Sequence, residues 1–216
     1  MQSITNAQVK GGKILGERYQ HTPLADTTKK DEHGMGIGIS ASTNCRIIRT
    51  VVTNCWGDGI TVGSTLTNNV HYRSINCLIS QVKSRNNRRQ GLTIGGVDSL
   101  IVINSSFTST NGTAPQAGID IEPDNDQASR VYIKNCEIAY NVKNGIEMNA
   151  KPSTTATITG VTVQGNYIHH NISSAYIQHV SNLNFTYNRL INNTRYSNVP
   201  YVVFSTAVDT IPNTYH

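Results

Sequence analysis

Five short phrases decide the fold of this 216-residue chain: "GIGI" (36–39), "GITV" (59–62), "GLTI" (91–94), "GIDI" (118–121) and "GIEM" (145–148). Each places an apolar residue at every second position, which is the period of a half-buried strand. Successive phrases begin 23, 32, 27 and 27 residues apart, and a degenerate copy, "SAYI", begins at Ser174. Self-similarity at this spacing predicts a repeat architecture.

Other strand-like runs lie between the phrases, among them "LIVIN" from Leu100, "VYIKN" from Val131 and "VTVQG" from Val161. Each repeat therefore contains about three short strands, and no segment has a helical period. Such units bury their apolar side chains only when they stack. We predict an all-β protein, a right-handed parallel β-helix, as a single-stranded solenoid of about six coils. The predicted β-helix spans 1–193 with a polar loop insertion at 17–33. Residues 194–216 are predicted to be a C-terminal cap or a subunit-contact segment.

Asparagine recurs in step with the phrases. The chain has 24 Asn residues, and six of them follow a strand at matching positions: Asn54, Asn86, Asn111, Asn141, Asn171 and Asn193. Asn tolerates left-handed turns and forms local hydrogen bonds. The spacing predicts a ladder in which these amides bond along the axis of the solenoid.

Composition narrows the classes of partner. Only 14% of residues are charged, and the formal net charge is +5. This excess suits an anionic partner such as an acidic polysaccharide, although a solvated surface accounts for it equally well. We expect no nucleic-acid partner, because the arginine cluster near residue 88 has no aromatic stacking platform around it.

The chain shows no leader and no membrane anchor in its sequence. Residues 1–16 lack the apolar core of a signal peptide, and no stretch approaches the length of a membrane span. We therefore expect no membrane insertion. The first residues already read as part of a coil, which predicts a piece of a longer chain or a cap from a partner subunit. The four cysteines are expected to be buried thiols, since none forms a CxxC pair.

The repeat predicts which side chains share the outer face. The third residue of each phrase points outward, which gives a column of Gly38, Thr61, Thr93, Asp120 and Glu147. The position two residues later gives a second column of Ser40, Gly63, Gly95, Glu122 and Asn149. Three carboxylates, Asp120, Glu122 and Glu147, thus meet beside a trough of small residues. Paired carboxylates are the machinery of glycoside hydrolysis. The alternatives are a turn-stabilising role and a Ca²⁺ site.

The turns before the phrases border this trough. "NCWGDG" (54–59) and "RNNRRQG" (85–91) contribute Trp56, Asp58, Arg88 and Arg89. An aromatic ring suits sugar stacking, and guanidinium groups suit carboxylates. We predict substrate binding by these four residues, with salt bridges and packing within the turns as the alternative. His21, Glu32 and His33 of the inserted loop are weaker candidates for reaching over the trough.

Five motifs, "GERYQHTP", "GMGIGI", "NCWGDGI", "NNRRQGL" and "NGTAPQAGIDIEP", resemble the pectate-lyase-like β-helix proteins found among phage tailspikes and tail-associated depolymerases. They run in the same order from Gly16 to about Gly145. The resemblance implies a homotrimeric spike, in a virion or outside cells, that binds and often cleaves a bacterial surface polysaccharide. The NTD, DD and GHG motifs of polygalacturonases and the WiDH motif of calcium pectate lyases are absent, so neither mechanism carries over.

The leading hypothesis is a polysaccharide depolymerase that hydrolyses glycosidic bonds, with Asp120 and Glu122 as acid and base and Glu147 as a further candidate. We expect no cofactor and no resident metal. A lyase acting on a uronic-acid polymer would need Arg88 or Arg89 to neutralise the substrate carboxylate. A non-catalytic receptor-binding or structural segment of a tail fibre is the third hypothesis.

Overall fold

Parallel strands stacked in three sheets make up the chain in a computed structural model, which describes residues 1–22, 32–150 and 155–193 and the backbone of two later strands. Strands are numbered β1 to β24 in chain order. Sheet A contains β3 (Ile37–Ser40), β6 (Ile60–Gly63), β11 (Leu92–Ile94), β14 (Ile119–Ile121), β17 (Asn144–Asn149), β20 (Ser173–Gln178) and β23 (Val202–Phe204).

Sheets B and C complete each coil. Sheet B contains β1 (Gln8–Lys10), β4 (Arg46–Ile48), β9 (Ser74–Ser80), β12 (Val97–Ile103), β15 (Gln127–Lys134), β18 (Thr157–Gln164) and β21 (Val180–Thr186). Sheet C contains β2 (Lys13–Leu15), β5 (Val51–Thr53), β10 (Lys83–Arg85), β13 (Ser106–Thr108), β16 (Glu137–Ala139), β19 (Tyr167–His169), β22 (Arg189–Ile191) and β24 (Thr214–Tyr215). The chain visits the sheets in the order B, C, A, and the predicted parallel β-helix is confirmed.

A small antiparallel hairpin, β7 (Thr65–Thr67) and β8 (Val70–Tyr72), leaves the solenoid between sheets A and B. Arg73, at its base, pairs with Asp126 at 2.6 Å. The sequence places Asp126 in a turn, and its backbone N–H does bond to Pro123 O at 2.7 Å. Its carboxylate is nevertheless buried and anchors the hairpin, rather than serving the turn alone.

The core forms because alternate residues of all three sheets point inward. Ile60, Leu92 and Ile119 pair in register across neighbouring coils and are fully buried. All four cysteines are buried free thiols, as expected. The described residues contain no helix, and hence none of the length and apolarity needed to cross a bilayer.

The asparagine ladder exists, but the predicted row combines two different rows. Asn54 and Asn86 have positive φ and lie at the turn surface, where Asn86 Nδ2 donates to Asn54 Oδ1 at 2.6 Å. The buried row lies one residue further on, where Asn171 Nδ2 donates to Asn193 Oδ1 at 2.9 Å. Asn141 belongs to this buried row, and Asn87 is its equivalent near the N-terminus. Asn111 belongs to neither ladder; its side chain bonds Arg18 and the backbone of Ser109.

Two predicted segments, the inserted loop at 17–33 and the C-terminal cap at 194–216, are described only in part. Residues 17–22, 32 and 33 of the inserted loop are described, whereas 23–31 lie outside the described residues. Of the expected cap at 194–216, only the backbone of β23 and β24 is described, and these strands extend sheets A and C by one rung each.

Candidate functional site

The outer face of sheet A carries the predicted columns in the predicted register. Thr93 pairs with Asp120, and Asp120 pairs with Glu147, on three successive rungs. Ile119 and Ile121, on either side of Asp120, are buried in the core, so the Asp120 side chain leaves the sheet on its outer face. Adjacent rungs of a sheet are about 4.8 Å apart. The structure thus brings Asp120, Glu122 and Glu147 together.

Asp120 is nonetheless only 1% exposed. Gln90, from the turn before β11, lies over it and donates a hydrogen bond from Nε2 to Asp120 Oδ2. Burial raises the pKa of Asp120 well above its usual range, and the nearby Glu147 and Glu122 carboxylates raise this pKa further. A carboxyl group in such surroundings holds its proton to higher pH than an exposed aspartate does.

Glu147 and Glu122 are only partly buried, in contrast to Asp120. Asn144 Nδ2, in the same strand as Glu147, donates to Glu147 Oε2 at 2.8 Å. Burial raises the pKa of Glu147, Asn144 opposes that shift, and Glu122 adds to it. Raised pKa values at a partly open cluster of carboxylates are what a general acid requires.

Asp58 and Arg89 form a second buried group next to the cluster. Arg89 Nη1 lies 3.0 Å from Asp58 Oδ2, and Thr93 Oγ1 donates to the same oxygen at 2.7 Å. Asp58 is 1% exposed, and Arg89 Nε lies 3.8 Å from Glu32 on the inserted loop. Two of the four residues predicted to bind substrate, Asp58 and Arg89, are thus engaged with each other, and Glu32 lies against Arg89.

Trp56 is also covered by its neighbours. The His21 ring stacks on it with a centroid separation of 4.1 Å, and the Arg88 guanidinium carbon lies 3.9 Å from its ring centroid. The indole is 8% exposed. These contacts correspond to the packed-turn alternative for Trp56, and they place His21 against the turn. Substrate binding by Trp56, Asp58, Arg88 and Arg89 stays a prediction.

The floor of the trough consists of small residues. Gly38, Gly63 and Gly95 leave space above the sheet, and a Cβ at Gly63 would meet its nearest atom at 3.8 Å. Ser40 Oγ bonds to Thr65 Oγ1 at 2.6 Å, which ties the β7–β8 hairpin to the rim of the floor. The floor thus leads along three rungs towards the carboxylates.

Three polar residues of the site were not predicted from the sequence. Tyr176 pairs with Glu147 on the next rung, and Gln178 pairs with Asn149, which extends both columns by one position. Gln90 covers Asp120 from its turn. Projecting the degenerate phrase "SAYI" onto the same columns would have identified Tyr176 and Gln178, whereas the position of Gln90 depends on the path of a turn.

No group of three or more His, Cys, Asp or Glu side chains in the described residues has an arrangement suited to a metal ion. Asp120 and Glu122 lie on one rung and Glu147 on the next, and Asp120 and Glu147 accept hydrogen bonds from the amides of Gln90 and Asn144, respectively.

Comparison with known proteins identifies the family. The chain is 33% identical over 184 residues to the uncharacterized protein YclG of Bacillus subtilis (strain 168), covering 79% of this chain and 30% of that protein. It is 30% identical over 185 residues to the SPbeta prophage-derived uncharacterized protein YorA of the same strain, covering 82% of this chain and 31% of YorA. The chain thus spans about a third of the length of these relatives.

Among solved structures, the A-module of the mannuronan C-5 epimerase AlgE4 of Azotobacter vinelandii shares the fold with a TM-score of 0.52. Its sequence identity is 14%, over 74% of this chain and 46% of that one. The family described as "Right handed beta helix region" matches residues 35–210. With its three stacked parallel sheets, the chain belongs to the right-handed β-helix family.

Proposed function

We propose that this protein is a tailspike-type depolymerase that hydrolyses glycosidic bonds of a bacterial surface polysaccharide. The observation that carries the proposal is the meeting of Asp120, Glu122 and Glu147 on neighbouring rungs at the end of an open trough. A long trough on the side of a solenoid suits a chain-like ligand. Tyr176, one rung beyond Glu147, offers a ring against which a sugar can stack.

The burial of Asp120 changes the roles expected from sequence. Glu147 is partly open and has a raised pKa, so it is the better candidate for protonating the leaving oxygen. Glu122 activates the water. Asp120, held under Gln90 with a raised pKa, acts as a positioning residue that keeps negative charge low between the two glutamates.

The stereochemistry depends on the separation of the two carboxyl groups. Glu122 lies two residues along the chain and one rung away from Glu147, a diagonal of about 8 Å between Cα atoms. Carboxyl separations of about 6.5–9.5 Å go with inversion and about 5–5.5 Å with retention. The rotamers of the two glutamates select between these ranges, and the anomeric configuration of the new reducing end measures which mechanism operates.

The setting of the proposed enzyme rests on the relatives. YorA derives from a prophage, which supports placing the present chain in a phage particle or outside the cell. We also propose a homotrimeric assembly, because the resemblance to phage tailspikes implies a trimer.

The test is to incubate the protein with purified surface polysaccharide of a susceptible host and measure new reducing ends and chain length. Glu147→Gln should abolish cleavage with an unchanged circular dichroism spectrum. Asp98→Asn, at a partly exposed carboxylate on sheet B, is the control and should keep full activity. Polysaccharide that is bound but never shortened would show a non-catalytic receptor-binding protein. Products absorbing in the ultraviolet through an unsaturated uronate would show a lyase.

A further inference from the structure

Sheets A and C carry opposite charge. The strands of sheet A contain two carboxylates, Asp120 and Glu147, and no lysine or arginine. The strands of sheet C contain one carboxylate and four cations: Glu137, Lys13, Lys83, Arg85 and Arg189. We propose that the outer face of sheet C, with the turn residue Arg49, is a second binding surface, specific for an anionic polysaccharide and separate from the carboxylate cluster.

The cations of this surface are available to a ligand. Lys13, Arg49, Lys83 and Arg85, here called the basic face, are all exposed. None of them has a carboxylate within ion-pair distance among residues 1–22, 32–150 and 155–193. Lys13 and Lys83 pair with the same residue, Val51, from opposite sides, so they stand in one column about two rungs apart. Unpaired cations in a row attract a linear polyanion.

Two polar grooves flank the basic face. One, of about 570 Å³, follows the turn between sheets B and C, and its lining includes two cations, one carboxylate and three amides: Arg49, Lys83, Glu137, Gln81, Asn104 and Asn135. The other, of about 380 Å³, lies at the opposite edge and is lined by Lys13, Thr53, Asn54, Arg85, Asn86 and Ser109. Amide and hydroxyl groups that donate and accept hydrogen bonds match the hydroxyl groups of a glycan.

Aromatic rings continue the same face beyond the cations. Tyr167 lies in the column of Lys83, between Glu137 and Arg189. Tyr140, in the turn that follows β16, is 56% exposed and stacks on His170. Rings of this kind pack against the apolar faces of sugars. From Lys13 to Arg189 the column covers six rung spacings, about 29 Å, which is long enough for several sugar units.

The arrangement favours a glycan over a nucleic acid. Proteins that bind single strands interleave stacking rings with cations along one track. Here Lys13, Arg49, Lys83 and Arg85 lie on the first coils, whereas Tyr140, Tyr167 and His170 lie on the last coils together with a single cation of the sheet C strands, Arg189. An acidic polysaccharide can contact the cations through its carboxylates at one end and the rings through uncharged units at the other.

The experiment measures dissociation constants by biolayer interferometry for polygalacturonate, neutral dextran, single-stranded DNA and duplex DNA. The wild-type protein should bind polygalacturonate more tightly than the other three. Lys83→Gln/Arg85→Gln should weaken this binding about tenfold, since two exposed charge contacts of up to about 1 kcal/mol each are lost. Tyr140→Asn should weaken it less, and the substitution suits the site because Asn tolerates the positive φ found there.

A matched control removes the same charge from sheet B. Lys10→Gln/Arg46→Gln, at two exposed cations of sheet B with no ion pair among the described residues, should change the affinity less than twofold. Equal affinities of the two double variants would overturn the proposal, and so would tighter binding of either DNA. A protein that cleaves no polysaccharide but shows the expected pattern of affinities would contradict the proposed hydrolase alone.

Discussion

Arg89 provides the sharpest test of whether the turn residues serve the fold or the substrate. Its guanidinium pairs with Asp58 at 3.0 Å, and the side chains are 14% and 1% exposed. Breaking a buried pair by removing one partner costs about 3–5 kcal/mol, because the other charge stays buried. Since Thr93 still donates to Asp58, we expect Arg89→Met to lower the free energy of unfolding at neutral pH by about 3 kcal/mol, near the bottom of that range.

The pH dependence of this loss follows from Asp58. Burial raises the pKa of Asp58 in the folded chain, and Arg89 opposes that shift. Removing Arg89 therefore raises the pKa further. The folded chain then keeps a proton that the unfolded chain has released, so stability falls as the pH rises above the unfolded pKa of about 3.9. The loss of unfolding free energy in Arg89→Met, relative to the wild type, should be largest at neutral pH and shrink as the pH falls towards about 3.9.

The assay is urea unfolding followed by circular dichroism at neutral and mildly acidic pH. Arg85→Met is the control, because it removes an equal charge from an exposed position and should cost under about 0.5 kcal/mol. In the Asp58→Asn background, Arg89→Met should cost about 2 kcal/mol less than in the wild type, since no buried charge remains. An Arg89→Met variant as stable as Arg85→Met, or an undiminished loss in that background, would refute a structural role for the pair.

Three further changes have defined outcomes. Asp120→Asn should raise the free energy of unfolding at neutral pH and flatten the decline of that free energy with rising pH. The reason is that an aspartate whose pKa is higher in the folded than in the unfolded chain costs stability as the pH rises. Urea unfolding across a pH series measures this. Gly63→Gln should block the trough and weaken polysaccharide cleavage with little change in melting temperature. In contrast, Gly96→Ala would place a Cβ against the Asp126 carboxylate and should lower the melting temperature. Asn171→Ala should cost about 3 kcal/mol in urea unfolding, because its buried side chain donates to Ile138 O and Asn193 Oδ1 and accepts from Asn141, against under about 0.5 kcal/mol for exposed Asn184→Ala.

The register of sheet A could be predicted because its information is local. An apolar residue at every second position, counted from a glycine, specifies which side of the strand faces the core. Aligning the phrases then places Asp120 beside Glu147, and the structure has this pairing. The asparagine ladder was harder, because Asn serves both at positive φ and in the buried row one residue later. Spacing alone does not separate two roles that differ by one position.

The burial of Asp120 and Asp58 could not be predicted from the strand pattern. Both carboxylates are covered by the turn before β11, where Gln90 bonds Asp120 and Arg89 bonds Asp58. These partners are 30 and 31 residues away in sequence. How far a turn folds back over the sheet depends on the packing of its own side chains. An outward position in a strand therefore does not establish exposure to solvent.

On the proposed function, the separation of charge between sheets A and C would let one chain accept an acidic glycan at two places. An anionic polymer is repelled by ionised carboxylates, and the cluster on sheet A contains three carboxyl groups. Burial raises the pKa of Asp120 and Glu147, so both groups hold their protons to higher pH than exposed carboxyl groups do, which lowers the negative charge that the ligand meets. The same protonation supplies the acid required for cleavage. Sheet C needs no such adjustment, because attraction there comes from lysine and arginine side chains and does not depend on proton uptake at the cluster.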